Sequence, residues 1–140
     1  MNVVIDTNAL LQLFGAKSSL RALKDALIRG RVELAVSTPI LLEYEEVVLR
    51  SSGAARWKDM VRAFEVMSLL HGNIHNIKPS YRFRTITGDP DDDAFADCAI
   101  AGNADFIITN DHHFNAMIGQ GYKPQPITPE DFIARHLAGT

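Results

Sequence analysis

The chain has 140 residues, 46% of them hydrophobic and 22% charged, the proportions of one ordinary globular domain and not of a disordered or fibrous chain. The formal charge is −3, yet seven aspartates and no Lys or Arg lie between Asp89 and Asp111, so the other 117 positions carry +4. The chain as a whole lacks the strongly basic balance of an ordinary polyanion-binding domain; the charge instead divides into an acidic focus and a mildly basic body. A lone Cys98 excludes an internal disulfide and a multi-cysteine metal site. The apolar runs are far shorter than the ~20 residues of a membrane span, and Met1 to Asp6 has no basic leader of the secretory kind. The expectation is one cytoplasmic domain over 1–140 with no membrane contact.

Asn2 to Ile5 is apolar and β-branched without alternation, as in a strand buried on both faces of a parallel sheet. It ends at Asp6-Thr7-Asn8. From Ser19, the spacing of Leu20, Leu23 and Leu27 predicts a helix that Gly30 stops. Glu33 to Ser37 reads as a second strand. Thr38-Pro39 supplies an N-cap and a first-turn proline for a helix through about Arg50. Gly53 breaks the pattern, and Trp57, Val61, Phe64 and Met67 or Ser68 mark another helix, so about 39–70 forms a helical hairpin inserted between strands. Ile74 to Ile77 reads as a short strand and Lys78 to Gly88 as a loop. Asp89-Pro90-Asp91 reads as a turn with Asp91 as N-cap of a helix over Asp92 to Ala101, whose Phe95, Ala96, Ala99 and Gly102 face the packing side. Phe106 to Thr109 is a strand. Pro126 to Thr128 suits an edge strand, after which Thr128 caps a last helix with Asp131 in the reciprocal position.

Strands alternating with helices imply a three-layer α/β/α sandwich with a mostly parallel sheet, whose ligands bind beyond the strands' carboxyl ends. Asp6 and Asp111 follow strands directly. Glu43 and Asp92 lie in first turns of helices near that edge, whereas Asp105 precedes its strand and belongs to the opposite one. Converging carboxylates repel until some protonate or a cation arrives. An all-oxygen donor set suits Mg²⁺ or Mn²⁺; the adjacent His112 and His113 lack zinc-site spacing. Such a cation can activate water and shield a phosphate, which makes phosphodiester hydrolysis the natural candidate reaction.

Asp6-Thr7-Asn8-Ala9-Leu10, Ser37-Thr38-Pro39 leading to Glu43-Tyr44, Asp89-Pro90-Asp91-Asp92-Asp93 and Thr109-Asn110-Asp111, in that order, resemble the PIN domain. The stretches Phe95 to Ala99 and Asn103 to Asp111 are similar to prokaryotic PIN proteins classed as toxins of toxin–antitoxin systems. The resemblance runs nearly end to end. It implies a Mg²⁺- or Mn²⁺-dependent ribonuclease with one or two ions held by Asp6, Glu43, Asp92 and Asp111, and with Asn8 and Thr109 orienting those carboxylates. It also implies a cognate antitoxin partner, and dimers are common in the family. Helix spacing alone favours Asp93 with Asp97, while the family match and the helix-end position favour Asp92. Asp92 is therefore the choice, with Asp97 as an auxiliary ligand or water-orienting group.

Several of these residues have plainer readings. Glu46 shares the Glu43 face and rivals it, whereas Glu45 points away. Trp57, Val61 and Phe64 read as core, Cys98 as a small packing residue, and His112 and His113 as solvated loop residues whose position just after Asp111 leaves a minor role open. Arg50, Arg56, Lys58, Arg62, Arg82 and Arg84 are by default a solvated surface. Their functional version is contact with the phosphates of a single-stranded or looped RNA. Two alternatives stand beside the nuclease. One is a PIN-fold module that binds RNA or protein with little activity. The other is a haloacid-dehalogenase type phosphatase, weakened because Asn8 stands where that motif has a second Asp and no suitably placed Lys follows.

Overall fold

A computed structural model describes residues 1–15, 19–79, 83 and 90–138, the side chains of Pro90 and Asp91 excepted. Five strands, β1 (Asn2–Ile5), β2 (Glu33–Val36), β3 (Ile74–Asn76), β4 (Phe106–Ile108) and β5 (Gln125–Ile127), form one sheet in the order β3-β2-β1-β4-β5. Every neighbouring pair is parallel, with Val3 beside Leu34 and Phe106, and Ile5 beside Ile108. Adjacent residues of a strand point to opposite faces, so the complete burial of Val3, Val4 and Ile5 requires helices on both sides. The result is the expected three-layer α/β/α sandwich, its sheet wholly parallel.

The helices are α1 (Thr7–Leu13), α2 (Arg21–Ile28), α3 (Thr38–Ser52), α4 (Ala54–His71), α5 (Pro90–Ala101) and α6 (Pro129–Phe132). A 3₁₀ helix covers His112–Met117, and a π-helical turn, Ile133–Leu137, continues α6. Helix α1 departs from the sequence expectation, which ends β1 at Asp6-Thr7-Asn8 and starts the first helix from Ser19. Its seven residues are too few for a stable isolated helix. It forms because Ala9, Leu10 and Leu13 dock into the core and because Asp6 accepts the Ala9 N–H at 2.8 Å as its N-cap.

Two other caps also differ. Helix α3 is capped by the Ser37 hydroxyl, which accepts the Ile40 N–H, and not by Thr38; Pro39 sits in the first turn. Helix α5 starts at Pro90, so Asp91 occupies its first turn instead of the cap, and Pro90 is helical instead of part of a turn. Asp89 and most of the loop expected over 78–88 lie outside the described residues. The hairpin is as expected: Gly53 joins α3 to α4 at φ +88°, a conformation glycine adopts without a Cβ clash. Trp57 and Phe64 pack against the core. Phe95, Ala96 and Ala99 of α5 are buried, and the small Ala96 and Ala99 let the helix lie close on β1, β2 and β4. After β5, Thr128 caps α6 by accepting the Asp131 N–H at 3.1 Å.

The strand direction sorts the carboxylates. Asp105 accepts the Asn2 N–H at 2.9 Å and pairs with Lys123 at 3.1 Å, which ties it to the amino-terminal edge of the sheet. Among the described residues, no helix is long and apolar enough to cross a membrane.

Candidate functional site

At the carboxyl edge, β1 delivers Asp6, and β4 delivers Thr109 and then Asp111. Asp6, Glu43, Asp92 and Asp111 all border one open cleft of about 210 Å³, together with Thr7, Asn8 and Arg50. Asp6 is buried, and burial raises its pKa above the ordinary carboxylate value, with the nearby Asp111 charge adding to the rise. Hydrogen bonds from the Thr109 hydroxyl and the Ala9 N–H oppose that rise without cancelling it. Thr109 also accepts the Asp111 N–H at 2.9 Å. One buried hydroxyl thereby links the carboxylate that follows β1 to the backbone of Asp111 after β4. Asn8 is exposed and borders the cleft beside Asp6.

The cleft distinguishes between neighbouring acids that the sequence leaves as rivals. Asp92 is buried and borders it, sharing the α5 stripe of Phe95 and Ala96, three and four residues on. Asp93, one residue along, does not border it. Asp97 is buried, accepts the Phe83 N–H at 2.9 Å and does not border the cleft. On α3, Glu43 and Arg50 border the cleft, two turns apart, while Glu46 is exposed and lies 3.8 Å from Arg50. Of the other basic residues, Arg56 is partly buried and donates to the Phe14 carbonyl. Lys58 and Arg62 are exposed on α4. Arg82 and Arg84 lie outside the described residues.

A family model described as PIN domain matches residues 2–113. This chain belongs to the PIN-domain family. The phosphatase alternative falls with that assignment. Solved structures share the PIN fold at low sequence identity. VapBC2 from Rickettsia felis, bound to a DNA fragment from its promoter, is 15% identical with a TM-score of 0.60, over 91% of this chain and 99% of that one. VapBC-1 from nontypeable Haemophilus influenzae is 16% identical at TM-score 0.56, over 93% and 99%. Mycobacterium tuberculosis VapC20, described as a sarcin–ricin loop cleaving toxin, is 14% identical at TM-score 0.53, over 86% and 95%. Comparison with curated proteins found no match.

Two residues of this PIN domain stand out that sequence reasoning did not place at the site. His113 is not simply a solvated loop residue: its Nδ1 lies 3.2 Å from Asp92 Oδ2 and 3.3 Å from Asp111 Oδ1. Its signal in the sequence is the two-residue step from Asp111, which a 3₁₀ turn converts into proximity. Tyr44, beside Glu43, is fully buried and donates its hydroxyl to the Ile5 carbonyl, pinning α3 to β1 next to Asp6. Burial first, and then the Asp6 charge, push its pKa well above the usual phenol value. Cys98 is buried, and burial pushes its thiol up to about 12, consistent with a packing residue and not a nucleophile.

Proposed function

We propose that the protein is a divalent-metal-dependent endoribonuclease that hydrolyses RNA phosphodiester bonds, the toxin of a type II toxin–antitoxin pair. One observation carries this reading: Asp6, Glu43, Asp92 and Asp111, spread over 106 positions of the sequence, border one cleft at the carboxyl edge of a parallel sheet. The residues fit a hard cation. Their donors are mostly carboxylate oxygens, and the raised pKa of Asp6 marks a charge not fully compensated by the protein. The buried Thr7 hydroxyl on the cleft wall has no hydrogen-bond partner among the described residues.

Held by those four carboxylates, one or two Mg²⁺ or Mn²⁺ ions would supply an activated water and offset charge on the scissile phosphate. The protein's own groups do the positioning. Thr109 and Asn8 orient the carboxylates, and Asp97 steadies the backbone at Phe83. Arg50 at the cleft wall is placed to attract a phosphate, and the exposed Lys58 and Arg62 extend that attraction along the hairpin. The likeness to VapBC structures supports a small antitoxin partner, and the reading includes a cytoplasmic setting and a homodimer, with the whole chain as one PIN domain.

The test is cleavage of RNA by purified protein with Mg²⁺ or Mn²⁺, compared with Asp6→Asn. The variant is expected to stay folded and to lose cleavage. Equal cleavage by the variant refutes the site. A cation that binds only the folded state raises its melting temperature by mass action; no rise at millimolar Mg²⁺ or Mn²⁺ would favour a binding module without activity.

A further inference from the structure

We propose that His113 Nδ1 is itself a ligand of the bound cation, beside Asp92 and Asp111, and that this nitrogen makes the site prefer Mn²⁺ to Mg²⁺. The proposal rests on the metal-dependent reading above and specifies its donor set. Nδ1 of His113, a carboxylate oxygen of Asp92 and one of Asp111 lie within 4.8 Å of one another. The two nitrogen–oxygen separations of 3.2 and 3.3 Å are close to the roughly 3 Å edge between adjacent ligands of an octahedral ion with 2.0–2.1 Å bonds. An imidazole nitrogen that directs its in-plane hydrogen between two carboxylates directs its lone pair to the same place when the hydrogen is on the other nitrogen.

His113 is held there although its side chain is 67% exposed. Its backbone N–H donates to Asp111 Oδ1 at 2.9 Å, and the 3₁₀ helix that it helps to begin is anchored by fully buried Phe114 and Met117. Anchoring one residue away and capping two residues back fix the backbone that carries the ring beside the carboxylates. Carboxylates and water suit Mg²⁺ and Mn²⁺ alike, whereas imidazole is a softer donor that favours first-row transition ions. A single histidine in an otherwise oxygen site therefore raises affinity for Mn²⁺ while adding little for Mg²⁺.

The experiment uses the whole chain with Mn²⁺ alone. Pulsed electron paramagnetic resonance of the Mn²⁺ complex reads coupling to a directly bound imidazole nitrogen, and calorimetry reads Mn²⁺ and Mg²⁺ affinities. The expected result is nitrogen coupling in the wild type and in His112→Gln, and none in His113→Gln. Mn²⁺ affinity of His113→Gln should also fall by about tenfold or more, the scale on which even outer partners of a metal ligand act, with Mg²⁺ affinity little changed. Mn²⁺ bound in an Asp6-dependent way but without nitrogen coupling overturns the role of His113 and leaves the metal-dependent reading intact. Nitrogen coupling that survives His113→Gln and is lost in His112→Gln also overturns it. Absence of any Mn²⁺ binding that Asp6→Asn removes overturns both.

Discussion

Thr109→Val replaces a buried hydroxyl by a methyl group of nearly the same shape, so its cost isolates the hydrogen bonds at the centre of the cleft. Thr109 is 3% exposed and makes two: its O–H to Asp6, and the one it accepts from the Asp111 N–H. A hydrogen bond to a charged group contributes about 1.5–3 kcal/mol and one between neutral groups about 0.5–1.5 kcal/mol. The added methyl recovers up to ~0.8 kcal/mol through burial. The net expected loss at pH 7 is about 2–3 kcal/mol, or roughly 6–12 °C in melting temperature for a chain of this size. The loss should depend on pH. Removing a donor to the ionised form raises the folded-state pKa of Asp6 further, so the deficit is largest where Asp6 is ionised. It shrinks as pH falls through that pKa, where a protonated carboxyl no longer needs the donor. Thermal unfolding of the metal-free protein between pH 4 and 8 measures this, with Thr109→Ser, which keeps the hydroxyl, as the rescuing control. A Thr109→Val deficit under ~0.5 kcal/mol, the range of ordinary surface changes, would refute the reasoning. So would a deficit that grows towards acid pH.

Asp6→Asn should make the metal-free protein more stable at neutral pH. The folded state raises the Asp6 pKa, so below 3.8 the two proteins differ little. As pH rises above that value the unfolded chain ionises first, and the wild type loses stability until the folded pKa is passed. The advantage of the variant should open in that window and stay constant above it, at about 1.4 kcal/mol for each unit by which folding raises the pKa; a melting-temperature difference that does not vary with pH would contradict this. Tyr44→Phe removes a buried donor to the Ile5 carbonyl and should cost about 1–3 kcal/mol, read by denaturant unfolding. In the wild type, alkaline titration followed by phenolate absorbance should leave Tyr44 neutral until the protein unfolds, and its normal ionisation in the folded state would show that the hydroxyl is not buried.

The helical hairpin and its glycine break were legible because each depends on local rules: apolar spacing, a first-turn proline, and a residue free to take positive φ. The choice of Glu43 over Glu46 came from the family resemblance and not from such rules, because it depends on which side of α3 faces β1. That orientation is set by Tyr44 reaching the Ile5 carbonyl and by Ile40 and Val48 in the core. The choice between Asp92 and Asp93 depended on the phase of α5, and hence on a start at Pro90 and on packing against β1 and β4. Helix α1 was missed because seven residues carry too short a period to recognise. The sequence left His113 only a minor role because a step of two residues becomes a contact only in the 3₁₀ turn that the chain takes after Asp111.

By itself the sequence determined the fold class and the order of acidic residues along it. Strands buried on both faces need unbroken apolar runs, and a parallel sheet collects the residues that follow its strands on one edge. The division of the −3 charge into an acidic window and a +4 remainder was visible in the same way. Tertiary structure decided which acids meet, because a helix turns each successive side chain by about 100°, so that packing of one face selects one carboxylate and turns its neighbour away. It also decided that Asp6 would be buried beside Thr109 and Asp111, and a carboxylate's pKa depends on that burial and on those neighbours, not on its place in the chain.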